Sequence, residues 1–148
     1  MIRMIGTMFG SGNSPIMPGT CGSIVALLMV MFIPAPWYSP VVGTLAILAT
    51  VTGPPLARRF MAQTGGKDPQ DFVYDEAAGL WIAIWRPTMA SPATFVLGFL
   101  LFRLFDMWKP GPIRKVEKWT KGYGVVYDDV LAGLIALGIG WLIESVLL

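Results

Sequence analysis

Five apolar runs, residues 23–33, 41–57, 77–85, 91–105 and 130–148, are separated by short polar stretches, and this alternation most limits what the chain can fold into. Prolines 34 and 36 close the first run, because proline lacks a backbone donor and clashes with the preceding turn. Arg58-Arg59 follows the second run and Arg86-Pro87 the third. A full helical crossing needs about 20 apolar residues, and several of these runs are shorter. Partial spans are tolerated in a bundle whose polar groups face protein rather than lipid. The expectation is a single domain over residues 1–148, an all-α integral membrane bundle with about four to five membrane-embedded helices.

Charge supports that reading. Only 14% of the residues are charged, against roughly a quarter in a soluble domain, so a water-facing surface of this size cannot be covered. The net charge of +2 gives no reason to expect a nucleic-acid partner. A soluble helical protein with a large buried core is the competing architecture. The chain has no histidine, which excludes Ser-His-Asp triads, His general bases and His-ligated zinc. Its single cysteine, Cys21, has Leu27 six residues on, where a thiolate phosphatase would want arginine.

With the five runs as crossings and the N-terminus in the cytoplasm, the basic residues fall almost entirely on one side. Arg3, Arg58, Arg59, Lys67, Lys109, Arg114, Lys115, Lys118 and Lys121 lie inside, Arg86 lies outside, and Arg103 sits in a helix near the inner face. That is the asymmetry of the positive-inside rule, with Trp37, Tyr38, Trp85 and Trp141 at the outer interface.

Eight of the nine acids crowd the same inner side, in two groups: Asp68, Asp71, Asp75 and Glu76, then Asp106, Glu117, Asp128 and Asp129. The first group reads as a helix start, with Asp68 as cap, Pro69 in the first turn and Asp71 and Asp75 on one face. Asp75-Glu76 leads directly into an apolar run, where acids are costly unless paired, solvated or bound to a cation. An acid pair at a helix start also complements the helix dipole without any ligand. Arg103, Asp106 and Lys109 form one polar stripe if their helix reaches Lys109; a plain intrahelical salt bridge is the alternative. Asp128-Asp129 opens the last apolar run after the flexible Gly122-Tyr123-Gly124. Together these acids could offer oxygen ligands to Mg²⁺, which favours carboxylates, water and phosphate. Gly19-Thr20-Cys21-Gly22-Ser23 precedes the first apolar run, and a helix N-terminus there could receive an anion, with Thr20 and Ser23 adding donors. Glu144 stands apart near the outer end, where it is expected to matter little.

Four blocks in order resemble the phosphatidylglycerophosphatase A family: Gly19-Thr20-Cys21-Gly22-Ser23; Asp68-Pro69 with Asp75-Glu76-Ala77-Ala78-Gly79; Phe102-Arg103-Leu104-Phe105-Asp106-Met107-Trp108-Lys109-Pro110; and Gly122-Tyr123-Gly124-Val125-Val126-Tyr127-Asp128-Asp129-Val130-Leu131-Ala132-Gly133. The resemblance covers about residues 18–136. It implies a bacterial cytoplasmic membrane protein, a phospholipid substrate, and Mg²⁺-dependent hydrolysis of phosphatidylglycerophosphate to phosphatidylglycerol and phosphate. On that reading Asp75, Glu76, Asp106, Asp128 and Asp129 hold Mg²⁺ and orient water, while Thr20, Ser23, Arg103 and Lys109 receive phosphate. The identity of the general base and of the nucleophile stays open, as does a different membrane phosphate as substrate. The class-level alternative is a non-enzymatic cation-binding or transport protein.

Overall fold

The computed structural model describes residues 1–65, 69–88, 90–120 and 122–147. The described residues form helices joined by short connections, with no strand among them. A short α1 (Ile2–Gly6) and a 3-10 turn (Ser11–Asn13) lead into α2 (Pro18–Met31). There follow α3 (Ala35–Thr64), α4 (Tyr74–Ile84), α5 (Pro92–Trp108), the short α6 (Gly111–Glu117) and α7 (Tyr123–Leu147). Asp68 lies outside the described residues, so its capping role has no structural counterpart here.

Proline and serine set several boundaries as expected. Pro18 occupies the first turn of α2, Pro34 caps α3, and the Ser91 hydroxyl accepts from Thr94 N at 3.1 Å to cap α5. One boundary runs against the proline rule. Pro40, Pro54 and Pro55 all lie inside α3, which continues past Arg58-Arg59 to Thr64. An interior proline removes an i→i−4 bond, and α3 keeps its course by packing, with Gly53 set close against Val126 of α7.

The long helices alternate in direction. The start of α2, the end of α3, the starts of α4 and α7, and the end of α5 meet at one end of the bundle. There Gly19 touches Glu76, Phe60 meets Phe72 with ring centroids 5.2 Å apart, and Arg103 pairs with Asp106. At the other end the Tyr38 hydroxyl donates to Ile84 O at 2.8 Å and Trp85 Nε1 donates to Ser39 O at 3.1 Å. The short α4 is the axis: Ala77, Ala78, Leu80, Ala83 and Ile84 are fully buried, between α2, α3, α5 and α7.

Two helices, Ala35–Thr64 and Tyr123–Leu147, are long and apolar enough to cross a bilayer. This is fewer than the four to five expected. At 1.5 Å per residue, the 11 residues of α4 and the 14 of α2 fall short of a hydrocarbon core of about 30 Å. The outward faces nevertheless fit lipid. Ile47 on α3 and Leu142 on α7 are 67% and 64% exposed, and Val96 and Leu100 on α5 are exposed as well. Large apolar side chains this exposed on three long helices suit contact with lipid.

The aromatic belt needs one correction. Trp85 and Trp141 stack at 6.3 Å at the end opposite the acids, and Trp37 is exposed near them. Tyr38 instead is fully buried, because its hydroxyl has a carbonyl partner inside the bundle.

Candidate active site

The carboxylates meet because α4 packs on α7 through two glycines. A Cβ on Gly133 would collide with Gly79 O, so the two helices approach backbone to backbone. Asp75 stands one turn before Gly79 and Asp129 one turn before Gly133. The close crossing therefore sets the two aspartates side by side. With Glu76 they form a group whose ligand oxygens all lie within 4.8 Å of one another. Asp75 and Asp129 are buried. Glu76 packs against Gly19, where any side chain would strike Oε1, and its Oε2 is buried without a protein partner among the described residues. Burial first, and then the charge of Glu76, holds the Asp75 carboxyl well above the usual carboxylate range. Burial likewise raises Glu76. Three acids so placed are costly without a cation.

The other two predicted metal ligands are committed differently. Asp106 forms an ion pair with Arg103 on its own helix, both side chains largely shielded. Asp128 accepts from Lys109 Nζ at 2.8 Å, and Lys109 also donates to Glu117 at 2.7 Å. Burial works against the Lys109 charge, yet the hydrogen bonds it donates to Asp128 and Glu117 outweigh it and keep the ammonium above the ordinary lysine range. Asp106 and Asp128 thus stand beside the trio, each already holding a cation.

Lys109 is not on the helical stripe expected for it. α5 ends at Trp108, and Lys109 takes a left-handed conformation, φ 48°. That conformation is uncommon for a residue with a Cβ and tends to be stored at functional sites. It turns the side chain off the Arg103–Asp106 face, toward α6 and α7. Pro110 follows and prevents the helix from continuing.

Two further local readings change. Pro69-Gln70-Asp71 is a turn, closed by Phe72 N donating to Pro69 O at 3.0 Å, and α4 begins only at Tyr74. Asp71 therefore does not share a helix face with Asp75; it lies 3.9 Å from Arg3 instead. Asp128-Asp129 does not open its helix, because α7 starts at Tyr123 and the pair sits in the second turn. The dipole of the helix start is thus a weaker reason for that pair than for Asp75-Glu76.

A cavity of about 760 Å³ opens beside the trio. Asp75, Glu76, Asp106, Lys109, Asp128 and Asp129 line it, so six of the nine expected site residues share one space. Thr20, Ser23 and Arg103 do not line it. Ser23 is fully buried and its hydroxyl donates to Gly19 O at 2.9 Å within its own helix. Its expected phosphate contact is displaced because α2 begins at Pro18, which makes 19–23 part of the helix rather than the approach to it. Thr20 Oγ1 and Arg103 Nε are buried without a protein partner among the described residues, close to where Gly19 meets Glu76 and Arg103.

The cavity also has walls that sequence reasoning did not single out: Arg58 from α3, and Glu117, Trp119 and Thr120 around the end of α6. Glu117 belongs to the second acidic group but lies in a basic, exposed stretch, which hid its place in the cavity wall. Arg58 carried one, as the first charge after an apolar run.

The whole of this constellation falls within a family match. The sequence profile described as Phosphatidylglycerophosphatase A matches residues 4–144. The chain belongs to the phosphatidylglycerophosphatase A family. Its relatives include the Phosphatidylglycerophosphatase A of Escherichia coli, 37% identical over 141 residues, covering 93% of this chain and 80% of that one. The protein of that name from Haemophilus influenzae is 31% identical over 137 residues, covering 92% and 84%. A Bacteroides thetaiotaomicron relative, provisionally named a phosphatidylinositol-3-phosphatase, is 37% identical over 141 residues, covering 88% and 86%. No solved structure matches the chain.

Proposed function

We propose that this phosphatidylglycerophosphatase A family member is a Mg²⁺-dependent lipid phosphatase. It hydrolyses phosphatidylglycerophosphate to phosphatidylglycerol and phosphate at the cytoplasmic face of a bacterial inner membrane. The observation that carries the reading is the convergence of Asp75, Glu76 and Asp129, with oxygens within 4.8 Å, in a cavity that also presents Lys109. Family membership over residues 4–144 supports the reaction class.

The donor set fits a hard divalent cation. It consists of carboxylate oxygens alone, one of them buried and without a partner among the described residues, in a chain without histidine. A bound Mg²⁺ would supply neutralisation of the phosphoryl oxygens and a water of lowered pKa. The chain's own residues do the rest. Asp75, Glu76 and Asp129 set the negative wall against which a water is oriented. Lys109, held between Asp128 and Glu117, offers a fixed positive charge to the transferring phosphoryl group. Arg103, held by Asp106 beside Glu76, is within reach of the same region and brings a planar fork suited to phosphate. Attack of water on phosphorus breaks the bond to the glycerol oxygen, which takes up a proton and leaves as the alcohol of phosphatidylglycerol.

The finer topology follows from the same reading. α2, α4 and α5 accompany the two span-length helices in the membrane, five embedded helices in all. The cavity's carboxylates, Arg58, Lys109 and α6 face the cytoplasm, in keeping with the inside bias of basic residues. The acyl chains then remain in lipid while only the phosphate enters the cavity.

Phosphate release from phosphatidylglycerophosphate by purified protein, with Mg²⁺ and with a chelator, tests the reading. Release that needs Mg²⁺ is expected; no release from folded protein in either condition would overturn it. The name given to the Bacteroides relative makes another lipid phosphate the second reading, and a headgroup panel in the same assay separates the two.

A further inference from the structure

We infer that Glu117 is a positioning residue for the reaction: from α6 it fixes the direction in which the Lys109 ammonium meets the phosphoryl group. This rests on the phosphatase reading above and deepens it. Lysine carries its charge on a flexible four-carbon stem with rotatable donors, so a single partner leaves it poorly aimed. Lys109 has two partners, on different elements. Asp128 of α7 accepts at 2.8 Å and Glu117 of α6 at 2.7 Å, and all three residues line the cavity. An ammonium has three N–H donors. Once two of them point at fixed acceptors, the direction of the third is set, and that is the donor a phosphoryl oxygen would meet. With Asp128 alone, the ammonium is left to swivel about that one bond.

The pair serves aim rather than stability. The Glu117 side chain is 39% exposed, against 5% for Asp128, and a pair this open to water adds little to folding. The Glu117 backbone is nevertheless fixed without help from its carboxylate. Ile113, one turn earlier in α6, is fully buried in the core. A Cβ on Gly124 would strike Glu117 O and Trp119 O, so the end of α6 is seated on the first turn of α7. The approach of Lys109 is equally specific. Its left-handed φ of 48° ends α5 and sends the side chain to where α6 and α7 meet. One ammonium therefore joins the end of α5 to both α6 and α7 at the cavity wall.

The test measures phosphate release from phosphatidylglycerophosphate in lipid–detergent micelles with Mg²⁺. It compares wild type, Glu117→Ala, Glu117→Gln, Lys109→Met, and Glu117→Ala combined with Lys109→Met. Single-turnover rates keep the slow variants readable. Glu117→Ala is expected to lower kcat about tenfold with KM within about twofold, because aim acts on the transition state rather than on lipid binding. Glu117→Gln keeps an acceptor oxygen and loses only the charge, so it should be intermediate. Thermal unfolding should be unchanged in both. In the Lys109→Met background, Glu117→Ala should cost no more than about twofold, since the ammonium it aims is gone. Losses that multiply in the double variant, an unchanged kcat in both Glu117 variants, or a loss confined to KM would overturn the assignment. If wild type releases no phosphate from phosphatidylglycerophosphate, the phosphatase reading itself falls and takes this assignment with it.

Discussion

Gly79 and Gly133 touch backbone to backbone across the α4–α7 crossing, and each stands four residues after an aspartate of the site. Because i and i−4 lie on one face of a helix, the same contact that packs the bundle also sets Asp75 beside Asp129. Adding a methyl at Gly133 forces the helices apart. Gly133→Ala should lower stability by about 1–3 kcal/mol through overpacking, and should raise the Mg²⁺ requirement besides. Thermal unfolding together with Mg²⁺ titration of activity checks both; a variant with normal Mg²⁺ dependence would uncouple the crossing from the site.

Asp129→Asn retains the shape of the side chain and removes its charge from the buried trio. Turnover should fall about 100-fold or more, several kcal/mol of transition-state stabilisation. Helicity by circular dichroism should be unchanged, since losing one of three crowded charges relieves repulsion. Near-normal turnover in purified Asp129→Asn would remove this residue from the site.

Arg103 is shielded, paired with Asp106 and next to Glu76. Arg103→Lys should lower kcat/KM about 10- to 100-fold, the worth of a charged hydrogen bond of about 1.5–3 kcal/mol. Steady-state kinetics on phosphatidylglycerophosphate give the answer, and an unchanged kcat/KM would exclude Arg103 from phosphate contact.

Protons and a metal ion compete for the same carboxylates. Asp75 and Glu76 are both raised by burial, so they take up protons at higher pH than ordinary acids. The Mg²⁺ concentration for half-maximal activity should therefore rise as pH falls, beginning above the ordinary carboxylate range. A Mg²⁺ requirement that stays flat as pH falls to the ordinary carboxylate range would show that these acids are not the metal's ligands.

Glu144, expected to matter little for turnover, is tied into the fold by an ion pair. Its two oxygens accept from Arg86 Nε and Nη2 at 2.9 Å each, and Arg86 also donates to Ala83 O and Trp85 O. Arg86 is buried, so Glu144→Gln leaves its charge uncompensated, a loss of about 3–5 kcal/mol when such a pair is broken. Thermal unfolding should register this, while kcat of the folded protein stays within about twofold, because the pair lies at the end away from the carboxylates. An unchanged unfolding temperature would mean the pair contributes nothing.

The chain's order of apolar and polar residues by itself determined the all-helical class, the crowding of the acids and bases at one end, and the candidate residues Asp75, Glu76, Asp106, Lys109, Asp128 and Asp129. These follow from local chemistry: apolar runs need burial or lipid, proline and glycine mark boundaries, and acids beside apolar helices need partners. Tertiary structure alone decided how the acids divide. Asp75, Glu76 and Asp129 meet one another, whereas Asp106 takes Arg103 and Asp128 takes Lys109. That division depends on the angle and closeness of helix crossings and on the left-handed turn at Lys109, neither of which a one-dimensional pattern expresses. The same holds for Ser23, turned into its own helix, for Glu144, joined to a residue 58 positions away, and for Arg58 and Glu117, which reach the cavity only because α3 and α6 fold back against the start of α7.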